Sequence, residues 1–345
     1  GNLFEIIMQN AFSKYPSNRK PIHLMPQEIL DEYSLHENKN GNIKKAISIF
    51  IDYDTLETTH KFTIIKVSKN NKFSYNNVQL SDDIKFCLDF SNKILPNLIY
   101  NDTQLEIKFE NHQPYFHWNS ENELMYKKMI AKFAIFTNHY IAFYLKTKLE
   151  HHNIIFRNCP LFTKLENVGD FISFILQNNV KANYSNEFSN HDMLELNEYL
   201  HMTSPLRRCT DCIIHYLLKD ITFPPYKLED IIKHSNVIYK RMKKIQFTDN
   251  KFRLLQTMEL QNSSFTIEFY IISFKKPFLN IIINKLNENN IYMSYTLKYD
   301  NVEYINIDLI QKRFQIQIHH INCCNYYDRN KIPELDSFID NLLFV

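Results

Sequence analysis

Glycine is almost missing from this chain, with three in 345 residues. Together with abundant Asn, Lys, Ile and Tyr, this bias points to an AT-rich genome, so a single lysine in an unusual place says little by itself. Cysteine is scarce as well. Six cysteines without the closely spaced framework of a small secreted domain exclude a disulfide scaffold and fit a reducing compartment. No run of about eighteen apolar residues occurs, which excludes a membrane-spanning helix. The first residues also lack the basic, apolar, small-residue order of a secretory signal. A soluble, intracellular protein with no membrane partner is expected. The net charge of +2 is too small to attract nucleic acid in bulk, so any polyanion site must be built locally. Hydrophobic residues at 44%, with 27 Phe and 21 Tyr, exclude a disordered chain and fill sizeable cores, and the length favours two domains.

The most informative segment is Tyr199 to Leu218, YLHMTSPLRRCTDCIIHYLL. A Ser-Pro turn and two adjacent arginines stand directly before an apolar helix. The pattern predicts Pro205 at the first helical position and Thr203 or Ser204 as cap. The positive end of the helix dipole would then add to Arg207 and Arg208 where an anion binds. Ile213, Ile214, Leu217 and Leu218 should face a core. Cys209 and Cys212 share this helix without a second pair at zinc spacing, so both read as buried thiols. His215 reads as a satisfied helix histidine.

This string resembles the signature of the RNB family, the ribonuclease II type 3′→5′ exoribonucleases. Thr203, Ser204, Pro205, Arg207, Arg208, Asp211 and His215 match in order, with Leu206 for Ile and Cys209 for Tyr. Further segments are similar in the family's order: His23-Leu24-Met25-Pro26 with Ser34-Leu35, Phe73-Ser74-Tyr75, MIAKFAIFTN at 129–138, and Ile155-Phe156-Arg157. The resemblance runs from about residue 10 to 260. It implies RNA contacts at Tyr75, Thr203, Ser204, Arg207, Arg208, Lys243 and Lys244, with Arg207 catalytic only in an active enzyme.

Family enzymes hold magnesium with an Asp-x-Asp-Asp-Ala-like cluster that lies before the Met-Leu-Pro segment, near which this sequence starts. No metal site is therefore expected in the chain as it stands, and magnesium enters only if that cluster is supplied elsewhere. Asp52 and Asp54 share a strand face by spacing but read as a hairpin end. The family's paired glutamates are replaced by Ala131 and Lys132, which implies loss of a ribose check, and an Ala-Glu-Arg segment has become Lys243-Lys244. The implied function is a catalytically degenerate RNB module that binds single-stranded RNA, or its 3′ end, within a larger assembly. Its other partners would be proteins of an RNA-processing, viral or organellar complex. Two alternatives stand beside it: an active 3′→5′ exoribonuclease whose magnesium-binding part lies outside this chain, and a structural role in protein contacts.

The fold class expected is α+β, an RNB-like mixed body with a small all-β C-terminal barrel. The domains would be residues 1–260 for the body, 261–330 for an OB-fold-like RNA-binding barrel, and 331–345 for a terminal helix. Hairpins are predicted over Ile47–Val67 and Leu105–Trp118, the latter turning at Asn111-His112, with helices near 82–95 and over 121–150. Asp82-Asp83 suits a cap and first turn. Alternation at 265–269, 279–283, 292–297 and 314–318 predicts the barrel strands. The basic pairs Lys275-Lys276 and Lys312-Arg313 are further candidate contacts.

Overall fold

In the computed structural model the described residues are 5, 9–16, 20–36, 41–68, 73–75, 80–96, 105–160, 182–261, 263–275, 278–298, 313–318 and 343–344. They form an α+β chain that divides into two compact units: residues 1–100, 125–166 and 176–243, and residues 101–124, 167–175 and 244–345. Among the described residues no helix is long and apolar enough to cross a membrane.

The first unit opens with a short helix α1 (Gln27–Tyr33) and the hairpin β1 (Ile43–Ile51) and β2 (Thr58–Lys66), paired antiparallel in register Ile47 to Phe62. Asp52 builds the hairpin turn. Its Oδ1 accepts from the backbone N–H groups of Asp54 and Thr55 and from the Thr55 hydroxyl, and these bonds hold its pKa below the usual range. Helix α2 (Asp82–Ile94) is capped by Ser81, whose hydroxyl oxygen accepts from the Ile84 N–H, while Asp82 and Asp83 sit in its first turn. A long helix α3 (Glu121–Lys148) supplies the buried Ile141, Ala142 and Leu145. Strands β5 (Phe156–Asn158) and β6 (Asn183–Ser185) pair antiparallel. They precede helices α4 (Cys209–Leu217) and α5 (Pro225–Gln261). One core joins Leu24, Met25, Ile141, Phe156, Leu200, Ile213, Ile214, Leu217 and Leu228. The predicted apolar face of the motif helix is thus buried, at 1%, 1%, 2% and 7% exposure for Ile213, Ile214, Leu217 and Leu218.

The second unit contains the hairpin β3 (Leu105–Glu110) and β4 (Gln113–Trp118). Its turn residues Asn111 and His112 both have positive φ, 49° and 67°, as a two-residue hairpin with right-handed twist requires. A five-stranded antiparallel sheet follows, made of β7 (Phe265–Lys275), β8 (Phe278–Leu286), β9 (Asn289–Lys298), β10 (Arg313–Ile318) and β11 (Leu343–Phe344). Its order is β11-β10-β7-β8-β9, and among the described residues it does not close into a barrel. Leu105, Leu254, Met258, Ile267, Phe269, Ile281 and Phe314 form this unit's core. Of the terminal helix expected over 331–345, only Leu343 and Phe344 are described. They form a strand on β10, because pairing satisfies their backbone groups through Phe314 and Gln315. Lys276 and Lys312 lie outside the described residues, as do the side chains of Lys275 and Arg313.

Candidate nucleic-acid interface

The segment Glu198 to Ser204 is held between α3 and α4 by side chains that reach its backbone. Asn138 of α3 accepts from the Met202 N–H at 2.9 Å and donates to the Tyr199 hydroxyl at 3.1 Å. His139 bonds the Glu198 carbonyl at 2.7 Å, and Lys146 pairs with the Glu198 carboxylate. From α4, the His215 Nε2–H donates to the Met202 carbonyl at 2.9 Å. Burial lowers the His215 pKa, which keeps the ring neutral and suits a single donated bond. His215 is thus a satisfied helix histidine.

The following turn departs from the predicted cap. Helix α4 begins at Cys209, not Pro205, and neither Thr203 nor Ser204 caps it. The reason is Asp211, fully buried, whose Oδ2 accepts from the Ser204 N–H at 2.8 Å and from the Arg208 Nε–H and Nη2–H at 3.1 and 2.9 Å. Residues 205–207 are drawn into a turn closed on the Ser204 carbonyl by the N–H groups of Arg207 and Arg208. The segment Ala11–Ser13 braces that turn from the other side. The Ser13 N–H donates to the Arg207 carbonyl at 3.0 Å, and the Cys209 N–H to the Ala11 carbonyl at 2.8 Å. Burial pushes the Cys209 thiol up to about 12 and raises Cys212 as well, so neither is a thiolate; Cys212 donates to the Pro205 carbonyl.

The turn forms one wall of a cleft of about 1150 Å³ within the first unit. Thr203, Ser204 and Arg207 line it together with Lys45, Ile47 and Phe62 of the hairpin, His23 and Met25 of the Met-Leu-Pro segment, Tyr216 of α4 and Lys219 just beyond it. Among the described residues that line it there is no Asp or Glu. Cations and aromatic or aliphatic surface without a carboxylate favour a polyanion that also carries apolar rings. No group of three or more His, Cys, Asp or Glu among the described residues is placed to hold a metal ion.

The two arginines part company. Arg207 is exposed at the cleft, whereas the Arg208 guanidinium faces the buried Asp211. Tyr75 is 43% exposed beside Lys127, whose Nζ lies 5.7 Å from its ring, and it is outside the cleft lining. Lys243 and Lys244 are exposed on α5, with Lys243 over the Tyr239 ring at 5.7 Å. Lys132 is buried and donates to the Asn92 side chain at 2.8 Å, with its pKa lowered by desolvation. Sequence reasoning missed Lys45 and Lys219. No sequence signal singles out Lys45: adjacent strand residues point to opposite faces, and it is the structure that buries Lys44, which donates to the Asp31 and Glu32 carbonyls at the end of α1.

Comparison with known proteins gives the same direction. Residues 164–223, which include the Ser-Pro turn and α4, match the RNB domain. The likeness is to the RNB family. Among solved structures, the Dss1 exoribonuclease of Candida glabrata, an active-site mutant, is 16% identical with a TM-score of 0.69 over 92% of this chain and 48% of that one. Mycoplasma genitalium RNase R in complex with ribose-methylated single-stranded RNA is 16% identical with a TM-score of 0.68, covering 94% and 63%. Yeast Ssd1, a pseudonuclease, is 14% identical with a TM-score of 0.62, covering 94% and 46%. At these identities the likeness is one of fold, and this fold is RNB-like. The chain spans about half the length of Dss1 and Ssd1 and under two thirds of that RNase R. No curated protein matches the sequence.

Proposed function

We propose that this chain is an RNB-type RNA-binding module that takes single-stranded RNA by its phosphates in the first-unit cleft and does not hydrolyse it with its own residues. The observation that carries this reading is the cleft wall itself: Arg207 exposed on a turn fixed by Asp211, joined by Lys45 and Lys219, with no carboxylate among the described lining residues. Two-metal phosphodiester hydrolysis needs carboxylates to hold cations about 3.5–4 Å apart. Guanidinium and ammonium groups neutralise phosphate but generate no nucleophile. The RNA-bound state of the similar RNase R and the pseudonuclease character of the similar Ssd1 support binding without cleavage. Within the first unit, Tyr75 and Lys243 extend the contact, and in the second unit Lys244 and the sheet of β7 to β11 form an OB-fold-like RNA-contacting surface of their own. The module works within a larger assembly of proteins and RNA.

Arg207→Ala tests the reading. A desolvated guanidinium contact is worth about 1.5–3 kcal/mol, so affinity for a single-stranded oligonucleotide should fall about tenfold or more. The slope of log affinity against log salt should flatten by about one. Fluorescence anisotropy at several salt concentrations measures both, and unchanged affinity would assign Arg207 to the fold alone.

A second reading follows from the exoribonuclease Dss1: an acidic segment from outside these residues would complete an active 3′→5′ exoribonuclease. Incubation of this chain with single-stranded RNA and magnesium or manganese separates the two. The expected outcome is no released mononucleotide, whereas processive trimming abolished by chelator would establish the enzyme.

A further inference from the structure

Beyond the cleft, one face of β2 and one stripe of α3 continue its wall as a row of rings and cations, of which the cleft reading uses only Phe62 and Lys219. Phe62, 53% exposed, is the last ring of the cleft wall, with the Lys219 Nζ 6.0 Å from its centroid. His60 lies two residues back along β2 and therefore on the same face. It packs edge-on against Tyr144 at 4.4 Å between centroids, and its Nδ1 is hydrogen-bonded to the Tyr140 hydroxyl at 3.0 Å. Tyr140 and Tyr144, one helical turn apart, stack with an interplanar angle of 29°. One further turn on, the exposed Lys148 sits 4.7 Å over the Tyr144 ring. The acidic neighbour is Asp220, which follows Lys219 and acts on Lys148 from the end of α4.

We propose that this row is a second contact track for single-stranded nucleic acid, taken by the strand where it leaves the cleft past Phe62 and Lys219 toward Tyr144 and Lys148. A row of half-buried rings with an ammonium at each end matches a nucleic-acid strand: the cations meet the phosphates, the ring edges give apolar contact, and the exposed Phe62 offers a face on which any base can stack. The occupant is set by charge. Lys219 and Lys148 outnumber Asp220, and the track is continuous with a cleft wall that carries Arg207.

The inference rests on the cleft reading, and oligonucleotide length separates the two. An oligonucleotide of about four nucleotides occupies the cleft alone, while one of about twelve reaches the track. Lys148→Glu should weaken binding of the long oligonucleotide about tenfold and leave the short one unchanged, because a reversed charge repels the phosphates only where the strand passes. Lys148→Arg should retain wild-type binding, and Lys148→Gln gives an intermediate loss should the glutamate disturb the end of α3. Arg207→Ala should weaken both lengths. Equal affinity of Lys148→Glu and wild type for the long oligonucleotide would overturn the track and leave the cleft standing. Failure of the wild-type chain to bind either length would overturn both.

Discussion

Asp211→Ala should cost about 3–5 kcal/mol of stability, a large share of the roughly 5–15 kcal/mol that holds a domain folded. Asp211 is fully buried, and one of its oxygens takes three bonds, from the Ser204 N–H and from two nitrogens of Arg208. Truncation leaves a guanidinium and a backbone N–H without an acceptor inside the protein, which is worse than having no pair at all. The same change releases the turn that presents Arg207, so RNA affinity should fall with stability. Urea unfolding monitored by circular dichroism measures the first effect and anisotropy the second. Removing both charges by Asp211→Leu with Arg208→Met should recover much of the stability, since no buried charge is then left unpaired, but not the turn or the binding. A shift below about 1 kcal/mol for Asp211→Ala would mean that the braces from Ala11 and Ser13 hold the turn without it.

Local signals in the sequence read well where local physics decides the outcome. The hairpin turning at Asn111-His112, the helix entered at Asp82-Asp83 and the long helix of 121–148 follow turn chemistry, capping and periodicity, and the structure places them there. The Ser-Pro-x-Arg-Arg string contributes Ser204, Pro205 and Arg207 to the lining of one cleft. Its helix start was misread because Asp211 reaches back seven residues to the Ser204 N–H, and a side chain bonding backbone at that distance overrides the usual capping preferences. Which of two adjacent lysines faces the cleft depends on strand register, and a slip of one residue would exchange Lys44 for Lys45. Lys219 joins them from far along the chain, a tertiary fact with no trace in local pattern. Alternation gave the strands of the C-terminal sheet but not their order, and closure into a barrel is a property of order and shear rather than of period.

Acid should unfold the first unit in a window set by buried histidines. His191 is 8% exposed and packs edge-on against Tyr199. Burial, with the nearby Arg157 charge, pushes its pKa down to about 4. His201, hydrogen-bonded with Tyr184 at 2.9 Å, is pushed well below 6.5 by burial first and then by Arg208, Arg157, His191 and Arg207. The folded state therefore keeps both rings neutral, whereas the unfolded chain protonates them near pH 6.5. Between about pH 6.5 and 4 the unfolded state binds more protons, so stability rises with pH there, is complete above 6.5 and is lost as pH falls. For His191 alone the shift of about 2.5 units corresponds to about 3 kcal/mol by pH 4. Carboxylates with lowered pKa, such as Glu123 and Asp52, titrate from about pH 4.5 downward and leave the upper part of the window to histidine. Urea midpoints at pH 7.5, 6.0 and 5.0 should decline steadily, and His191→Phe, which keeps an aromatic ring against Tyr199, should flatten that decline by one proton's worth. An unchanged slope in this variant would place the acid sensitivity elsewhere, at His201 or His215, whose substitution is then the next measurement.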